Sequence, residues 1–262
     1  MSGAAPAGGQ SYMSGHRRPD MRHVRFRDPA GAVRRGEWTD DGIVFADRTY
    51  DPDAVDVLPP VEPTKVVCLA GNYVAHAGGD PPERPSLFLK GPNAVAGHGD
   101  TVTLPAGKEE VDYEAEVGVV VGEQCRHVDA ADAMDVVAGY TNVNDISNRD
   151  DQRREQNWVR GKACDGSAPM GPVVADPEHV EDPEDPRIRL WLNGEKRQDS
   201  ADDELVFPVS EVIEEVTALL TLEPGDVIAM GTSGHPESMS DGDTVEIEID
   251  GVGRLEHTVE RA

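Results

Sequence analysis

Two glutamates, Glu114 and Glu116, lie in a stretch where polar and apolar residues alternate from Val111 to Val117. Such alternation is typical of a β-strand with one polar and one apolar face. Both carboxylates would then leave the same face, roughly 6.6–6.8 Å apart along the strand. Carboxylates this close repel each other, and a divalent cation relieves the repulsion. Mg²⁺, Mn²⁺ and Ca²⁺ all prefer oxygen ligands, so the pair is a candidate metal site.

A second interpretation of this pair is chance, because the chain contains 51 Asp and Glu residues. The segment from Glu246 to Asp250 alternates in the same way, and we interpret it as the solvent-facing side of a strand. Spacing alone therefore leaves both interpretations of Glu114 and Glu116 open.

A third carboxylate, Asp145, lies in a polar segment that runs from Gly139 to Gln152. Three carboxylates with waters suit an octahedral Mg²⁺ or Mn²⁺ that keeps positions open for substrate. An ordinary turn or helix-capping aspartate is the alternative. Arg149 and Gln152 would lie one turn apart if a helix begins here.

Lysine is scarce in this chain, and Lys162 stands out between Gly161 and Ala163. Its ammonium group can hold a substrate carboxylate or stabilise a developing enolate, and a surface lysine is the alternative. His76 is either a general base or a structural histidine near a glycine turn. The segment from Gly231 to Gly234 either cradles an anion with backbone N–H groups or is a plain loop.

Many strand-like segments and few helical ones must position these residues. Continuous apolar runs predict buried strands at 65–70 and 226–230, and Asn193-Gly194 predicts a hairpin turn. The spacing of apolar residues predicts a helix over 208–220, with Ser210 as a candidate cap, and residues 130–137 a second helix capped by Asp129. Because strands and helices do not alternate regularly, we predict an α+β fold.

Composition shifts divide the chain into three parts. Residues 1–20 are rich in Gly, Ala and Ser, which predicts a disordered tail. Residues 21–60 carry short strand-like segments separated by Asp and Gly turns, which predicts a small β-rich N-terminal domain. Pro59, Pro60 and Pro63 predict a stiff linker, and residues 61–262 form the main domain.

The formal net charge of the chain is -27. A polyanion would be repelled, so nucleic acid is disfavoured as a partner. Diffuse acidity with little lysine suggests a protein of a high-salt cytoplasm, where charges are screened. Three scattered cysteines favour a reducing compartment. No signal peptide or membrane span is expected, and the protein is predicted to be soluble and cytoplasmic.

From Lys65 onward the chain resembles the fumarylacetoacetate hydrolase family, over about 75% of its length. The motifs that carry the resemblance follow one another along the chain in the order of the family, and most of them are short. They are Asn72-Tyr73-x-x-His76, Ser86-Leu87-Phe88-Leu89-Lys90, Asp112-Tyr113-Glu114-Ala115-Glu116, Asn144-Asp145-x-Ser147-x-Arg149-Asp150-x-Gln152, Gly161-Lys162, Asn193-Gly194-Glu195 with Gln198, Pro224-Gly225-Asp226 and Gly231-Thr232.

The resemblance implies a mixed β-roll core with short helices, usually in a homodimer, and a Mg²⁺ or Mn²⁺ site, with Ca²⁺ also compatible. It assigns site roles to matching positions of this sequence. These are metal ligands at Glu114, Glu116 and Asp145, a substrate-contacting lysine at Lys162, polar substrate contacts at Arg149 and Gln152, a lid base at His76, and a carboxylate-binding threonine at Thr232.

The implied activity is cleavage of a C–C bond in a 2-oxo acid of the acylpyruvate type, through an enolate that the metal stabilises. An isomerase, tautomerase or decarboxylase of 2-oxo diacids is the next alternative, and a sugar-acid dehydratase the third. A non-catalytic metal-binding protein is the alternative of another class. The sequence departs from the family at Gly79, where a glutamate often pairs with the lid histidine, and Asp80 follows instead.

Overall fold

A computed structural model describes residues 21–74, 82–202 and 205–262 of the chain. The strands in these ranges are β1 (Arg22–Arg27), β2 (Val33–Thr39), β3 (Gly42–Phe45), β4 (Arg48–Tyr50), β5 (Asp56–Leu58), β6 (Val66–Ala70), β7 (Ser86–Lys90), β8 (Val95–Ala96), β9 (Thr101–Leu104), β10 (Val111–Asp112), β11 (Ala115–Val121), β12 (Val137–Asn144), β13 (Ser147–Asn148), β14 (Ala168–Ala175), β15 (Ile188–Leu192), β16 (Glu195–Asp199), β17 (Val227–Thr232), β18 (Thr244–Ile249) and β19 (Gly253–Arg261). The α-helices that lie wholly within these ranges are α1 (Arg149–Gln152), α2 (Val159–Lys162) and α3 (Val209–Leu219), and short 3₁₀ helices span Pro52–Ala54, Pro92–Ala94, Ala130–Val136, Pro177–His179 and Ser200–Asp202.

Most strands belong to one twelve-stranded mixed sheet. Its main path is β4-β3-β2-β1-β14-β12-β11-β17-β6-β7, with β5 beside β1 and β8 beside β14. A five-stranded sheet has the order β16-β15-β18-β19-β9, and β10 pairs with β13. Mixed sheets with few helices confirm the predicted α+β class.

Buried apolar side chains from the two larger sheets and from α3 form the larger of two buried apolar cores among the described residues. It includes Val117 on β11, Ile247 on β18 and Val212 on α3. Burial of a side chain of this size contributes about 1.5–3 kcal/mol. The apolar spacing that predicted a helix over 208–220 is confirmed by α3, whose buried face is turned to this core.

The first five strands extend the large sheet. β1 pairs with β14, and β2 and β5 both pair with β1. The division at residue 60 stays a prediction, and the predicted tail at 1–20 lies outside the described residues. No helix in the described ranges is long and apolar enough to cross a membrane.

The acidic stretch differs from the predicted single strand. β10 ends at Asp112 and β11 begins at Ala115, so Tyr113 and Glu114 form a break. The predicted polar face of β11 is not exposed, because every residue of β11 is buried between β12 and β17. Glu116 is therefore a buried charge-bearing group inside a sheet, which requires compensating partners.

Two predicted caps are also wrong in detail. Pro208 is the residue before α3, and Ser210 lies inside the first turn, where its backbone N–H donates to Glu184. Residues 130–136 form a 3₁₀ helix, and Asp129 precedes it without a side-chain capping bond. The Asn193-Gly194 turn is confirmed, since both residues have the positive φ angles that a type I′ hairpin requires.

Candidate active site

Three carboxylates meet where β11 and β12 pair near their ends. Glu114 precedes β11, Glu116 is its second residue, and Asp145 follows β12. Ala115 pairs with Asn144, and the Asp145 N–H donates to the Glu114 carbonyl over 2.9 Å. One oxygen atom from each of the three side chains lies within 4.8 Å of the others, and all three residues are buried. The helix-capping alternative for Asp145 is excluded, because Asn148 caps α1.

Lys162 joins two of these carboxylates. Its Nζ donates to Glu114 Oε2 over 2.5 Å, to Asp145 Oδ2 over 2.7 Å and to the hydroxyl of Ser147 over 2.6 Å. The ammonium group also lies 5.0 Å from the centre of the Phe88 ring. Lys162 is 4% exposed, so the alternative of a surface lysine is excluded.

Arg149 and Gln152 lie on α1, one turn apart as predicted. Arg149 donates to Glu114 Oε1 over 2.5 Å, to Asp112 Oδ2 over 2.8 Å and to Gln152 Oε1 over 2.8 Å. The guanidinium group is thus committed to holding Glu114 and Asp112. A substrate-binding role for Arg149 and Gln152 stays a prediction.

Lys90 is a site residue to which sequence reasoning gave no role. It is fully buried at the end of β7, and its Nζ lies 2.7 Å from Asp145 Oδ1 in an ion pair. Its hydrogen bonds go instead to the carbonyls of Ile146, Lys162 and Ser167 and to the Ser167 hydroxyl. The signal in the sequence was a second lysine, in a lysine-poor chain, at the end of an apolar strand.

The far side of the site is the end of β17. Glu116 pairs with Thr232 across the sheet, and the Gly231 N–H donates to Glu116 Oε2 over 2.9 Å. Gly231 and Thr232 end the strand instead of beginning a loop, so this part of the predicted loop is wrong. The Gly231 N–H serves Glu116 and is not available for the anion cradle that the sequence suggested.

Glu114 and Glu116 differ in their ionisation. Burial opposes the charge of Glu114, but Lys162 and Arg149 outweigh burial and hold the pKa of Glu114 at about 2. Burial, with the charges of Asp145 and Glu114, raises the pKa of Glu116 well above its ordinary value. Burial disfavours the charge of Lys162, yet Asp145 and Glu114 outweigh it and raise the pKa of Lys162. The charge of Glu116 is therefore less well compensated than that of Glu114.

The site fits a hard divalent cation. Asp145 Oδ1 is buried and forms the ion pair with Lys90, but it receives no hydrogen bond from any residue that the structure describes. Among the same residues, Glu116 forms no ion pair. An all-oxygen set of three carboxylates is the donor chemistry of Mg²⁺ and Mn²⁺. Glu114, Glu116 and Asp145 are thus able to hold such an ion. His76, the predicted base, lies outside the described residues.

The buried amide of Asn144 connects the backbone of Glu114 to His257. Asn144 Oδ1 accepts from the Glu114 N–H over 2.9 Å, which turns its Nδ2 toward His257 Nε2 at 2.9 Å. His257 must then accept through Nε2 in its neutral form. Burial lowers the pKa of His257 to about 4.

Comparison with known proteins gives one family and close structural matches. The family model "Fumarylacetoacetate (FAA) hydrolase C-terminal" matches residues 65–260. The chain is 38% identical over 225 residues to the oxaloacetate tautomerase YisK of Bacillus subtilis, which covers 80% of this chain and 75% of that protein.

Two solved structures show the same fold. The 5-carboxymethyl-2-hydroxymuconate delta-isomerase from Mycobacterium smegmatis is 35% identical, with a TM-score of 0.82 over 92% of this chain and 99% of that chain. The maleylpyruvate hydrolase from Sphingobium sp. SYK-6 is 30% identical, with a TM-score of 0.80 over 92% of this chain and 100% of that chain.

Proposed function

We propose a reaction for this chain from one premise: it belongs to the fumarylacetoacetate hydrolase family. The protein is a divalent-metal-dependent enzyme that interconverts the keto and enol forms, or the double-bond isomers, of a 2-oxo diacid. The observation that carries this proposal is the buried triad of Glu114, Glu116 and Asp145 with Lys162 set against it. The names of the tautomerase and isomerase relatives support the reaction type.

Glu114, Glu116 and Asp145 would hold Mg²⁺ or Mn²⁺. When bound, the cation supplies a Lewis acid that lowers the cost of forming the enol of a 2-oxo acid. Arg149 fixes Glu114 from the opposite side, and Lys90 fixes Asp145, so that the ligand oxygens are held in place before substrate arrives.

Lys162 stabilises negative charge in this scheme. Its raised pKa keeps the ammonium protonated at neutral pH, so it does not serve as a general base. A fixed positive charge in a buried site stabilises an oxyanion more strongly than it would in water. Proton transfer at carbon is assigned to His76, the lid base that the family resemblance implies.

Hydrolysis of a C–C bond in an acylpyruvate is the second candidate. Asn72, the first residue of the motif that contains His76, is fixed at β17, because it donates to the Met230 carbonyl over 2.9 Å and accepts from the Phe207 N–H over 2.9 Å. Histidine is the side chain that most often serves as a general base, and the hydrolase candidate gives His76 the activation of a water molecule. The maleylpyruvate hydrolase structure supports this candidate.

Two assays on the same samples separate the candidates. We would follow loss of enol absorbance of oxaloacetate and release of pyruvate from acetylpyruvate, in molar KCl with Mg²⁺ or Mn²⁺. The proposal predicts metal-dependent tautomerisation, suppressed by EDTA, in excess of pyruvate release. Faster pyruvate release would establish the hydrolase instead. If neither reaction occurs although metal is bound, the result would favour a non-catalytic metal-binding protein.

A matched histidine pair tests the base. His76→Asn is expected to slow the favoured reaction by about 10²–10⁴-fold, the usual contribution of general acid–base catalysis. His127→Asn, at an exposed position, is the control and is expected to leave the rate unchanged. Equal rates for both variants would remove His76 from the mechanism.

A further inference from the structure

Gln198 carries a buried amide that lies between β11 and Thr232. It belongs to β16 of the five-stranded sheet and is 3% exposed. Its Oε1 accepts from the Ala115 N–H over 3.1 Å, and Ala115 separates Glu114 from Glu116. Its Nε2 donates to the Ser233 carbonyl over 2.6 Å and to Thr232 Oγ1 over 2.8 Å.

The orientation of the Gln198 amide is fixed by two backbone groups. Ala115 offers only an N–H donor and Ser233 only a C=O acceptor at these contacts. Rotating the amide by half a turn would set Nε2 against the N–H of Ala115 and Oε1 against the carbonyl of Ser233. Two like pairs would then face each other in a buried place, which costs about 1–3 kcal/mol for each unsatisfied group. The NH₂ group therefore points to Thr232.

This orientation decides what the Thr232 hydroxyl can do. Its oxygen is occupied as the acceptor of the Gln198 N–H, so its single proton must be directed elsewhere. Within the part of the chain that the structure describes, the hydroxyl donates to no group. Thr232 is 4% exposed and pairs with Glu116 across the sheet, so its unused proton belongs to the residue opposite Glu116 on the neighbouring strand.

We propose that Gln198 is a positioning residue that sets Thr232 as a hydrogen-bond donor and thereby selects ligands that present a carboxylate oxygen at this wall of the site. This inference rests on the proposed function, because it gives Thr232 a 2-oxo acid carboxylate as its partner. A carboxylate is an acceptor only, and a bond from a hydroxyl to an ionised oxygen is stronger than one between neutral groups. A ligand that presents a donor at this position would meet the Thr232 proton.

The test is a double-mutant cycle read by binding. We would titrate oxalate, a dicarboxylate that chelates divalent cations, into protein with Mn²⁺ in molar KCl. Gln198→Met removes the amide donor at nearly the same volume, and it is combined with Thr232→Val and with Thr232→Ser. Gln124→Met, at an exposed amide paired with Glu223, is the matched control.

We expect Gln198→Met to raise the Kd of oxalate about 10-fold in the wild-type and Thr232→Ser backgrounds, the size of one hydrogen bond to a charged group. In the Thr232→Val background the same change is expected to alter the Kd by less than about twofold, because no hydroxyl remains to be oriented. In turnover, the effect should fall on KM and not on kcat. Gln124→Met should match the wild type.

Gln198→Met also leaves two backbone groups unpaired, so a lower melting temperature is expected in every background. That loss does not decide the question, because it does not depend on residue 232. An equal rise of Kd in the Thr232→Val and Thr232→Ser backgrounds would show a merely structural role and overturn the inference. No metal-dependent oxalate binding in the wild type would instead overturn the proposed function.

Discussion

At the scale of residues, two glutamates of the site, Glu114 and Glu116, have different environments. Glu114 receives hydrogen bonds from Lys162, Arg149 and Ser147, whereas Glu116 receives one from the Gly231 N–H. Removing one partner of a buried charge network leaves the others uncompensated. Glu114 therefore has a role in stability that Glu116 lacks, and substitution separates the two.

Glu116→Gln is expected to abolish metal binding without loss of stability. Its carboxyl has a raised pKa from burial and from the nearby carboxylates, so a neutral amide suits the site in the absence of metal. The melting temperature without metal should stay equal or rise, and the increase that Mn²⁺ gives the wild type should vanish. Calorimetry with and without Mn²⁺ measures both effects. A variant that still gains stability from Mn²⁺ would show that Glu116 is not a ligand.

Glu114→Gln should instead destabilise the metal-free protein, by about 3–5 kcal/mol, because Lys162 and Arg149 lose their shared counter-charge. Glu246→Gln, on the alternating strand β18, is the control, and loss of its half-exposed pair with Arg254 should cost at most about 1 kcal/mol. Urea unfolding gives all three free energies. Equal losses for Glu114→Gln and Glu246→Gln would contradict the network.

His257 predicts a pH dependence of stability. Its folded pKa of about 4 lies below the ordinary value of 6.5, so between these values the unfolded chain binds more protons. The stabilisation is complete above pH 6.5 and is lost as pH falls toward 4. It amounts to up to about 3 kcal/mol at 1.36 kcal/mol per pKa unit. His257→Gln, which keeps an acceptor for Asn144, should lose less stability than the wild type between pH 7 and pH 4.5. Parallel curves of unfolding free energy against pH would refute this role.

At the scale of elements, Lys162 is positioned by the close packing of α2 on α1. A Cβ atom on Gly161 would lie 2.8 Å from the Gln152 Cβ and 3.0 Å from its backbone nitrogen. Only glycine permits this approach, and it brings the end of α2 against Asp145. Trp158, in the left-handed conformation, directly precedes α2, and its ring contacts Phe88.

Gly161→Ala is expected to push α2 away from α1 and to cost about 1–3 kcal/mol in stability. Activity should fall further than stability explains, because Lys162 moves away from Glu114 and Asp145. Gly122→Ala, whose added Cβ would lie 3.3 Å from the Ala138 nitrogen outside the site, is the control. Turnover under conditions where both variants are folded makes the comparison. Equal turnover of the two variants would contradict the role of this contact.

The sequence was informative about elements that depend on local patterns. Apolar spacing located α3, and the Asn193-Gly194 turn located its hairpin, because helix periodicity and positive φ angles are local properties. The break at Tyr113 and Glu114 could not be predicted, since it follows from tertiary pairing of β10 with β13 and of β11 with β12. The role of Lys90 in the site could not be predicted for the same reason, because its partners are 56 to 77 residues away in the chain.

Part of the site was also accessible from sequence. The metal triad was inferred from motif order, and the structure brings its three members together. The bonds that commit Arg149 to Glu114 and Gln198 to Thr232 could not be inferred, because they depend on side-chain orientation across separate elements. The assigned roles of all these residues stay predictions.

At the scale of the whole molecule, we expect the net charge of -27 to govern how stability depends on salt. Charges of one sign repel each other in the compact state, and molar salt shortens the screening length to about 3 Å. We expect the melting temperature to rise steeply between 0.1 M and 2 M KCl. The same series with sucrose, which stabilises without screening, is the control. A melting temperature independent of KCl would contradict adaptation to high salt.

The predicted homodimer is tested by light scattering in the same buffers.

The central claim is that the buried triad holds a divalent cation that serves enol chemistry. The most direct measurement is the loss of oxaloacetate enol absorbance in molar KCl, with Mn²⁺ or with EDTA, for the wild type and for Glu116→Gln. The account predicts catalysis by the wild type with Mn²⁺ and no catalysis above background with EDTA or in the variant. Equal rates with EDTA, or full activity of Glu116→Gln, would contradict it.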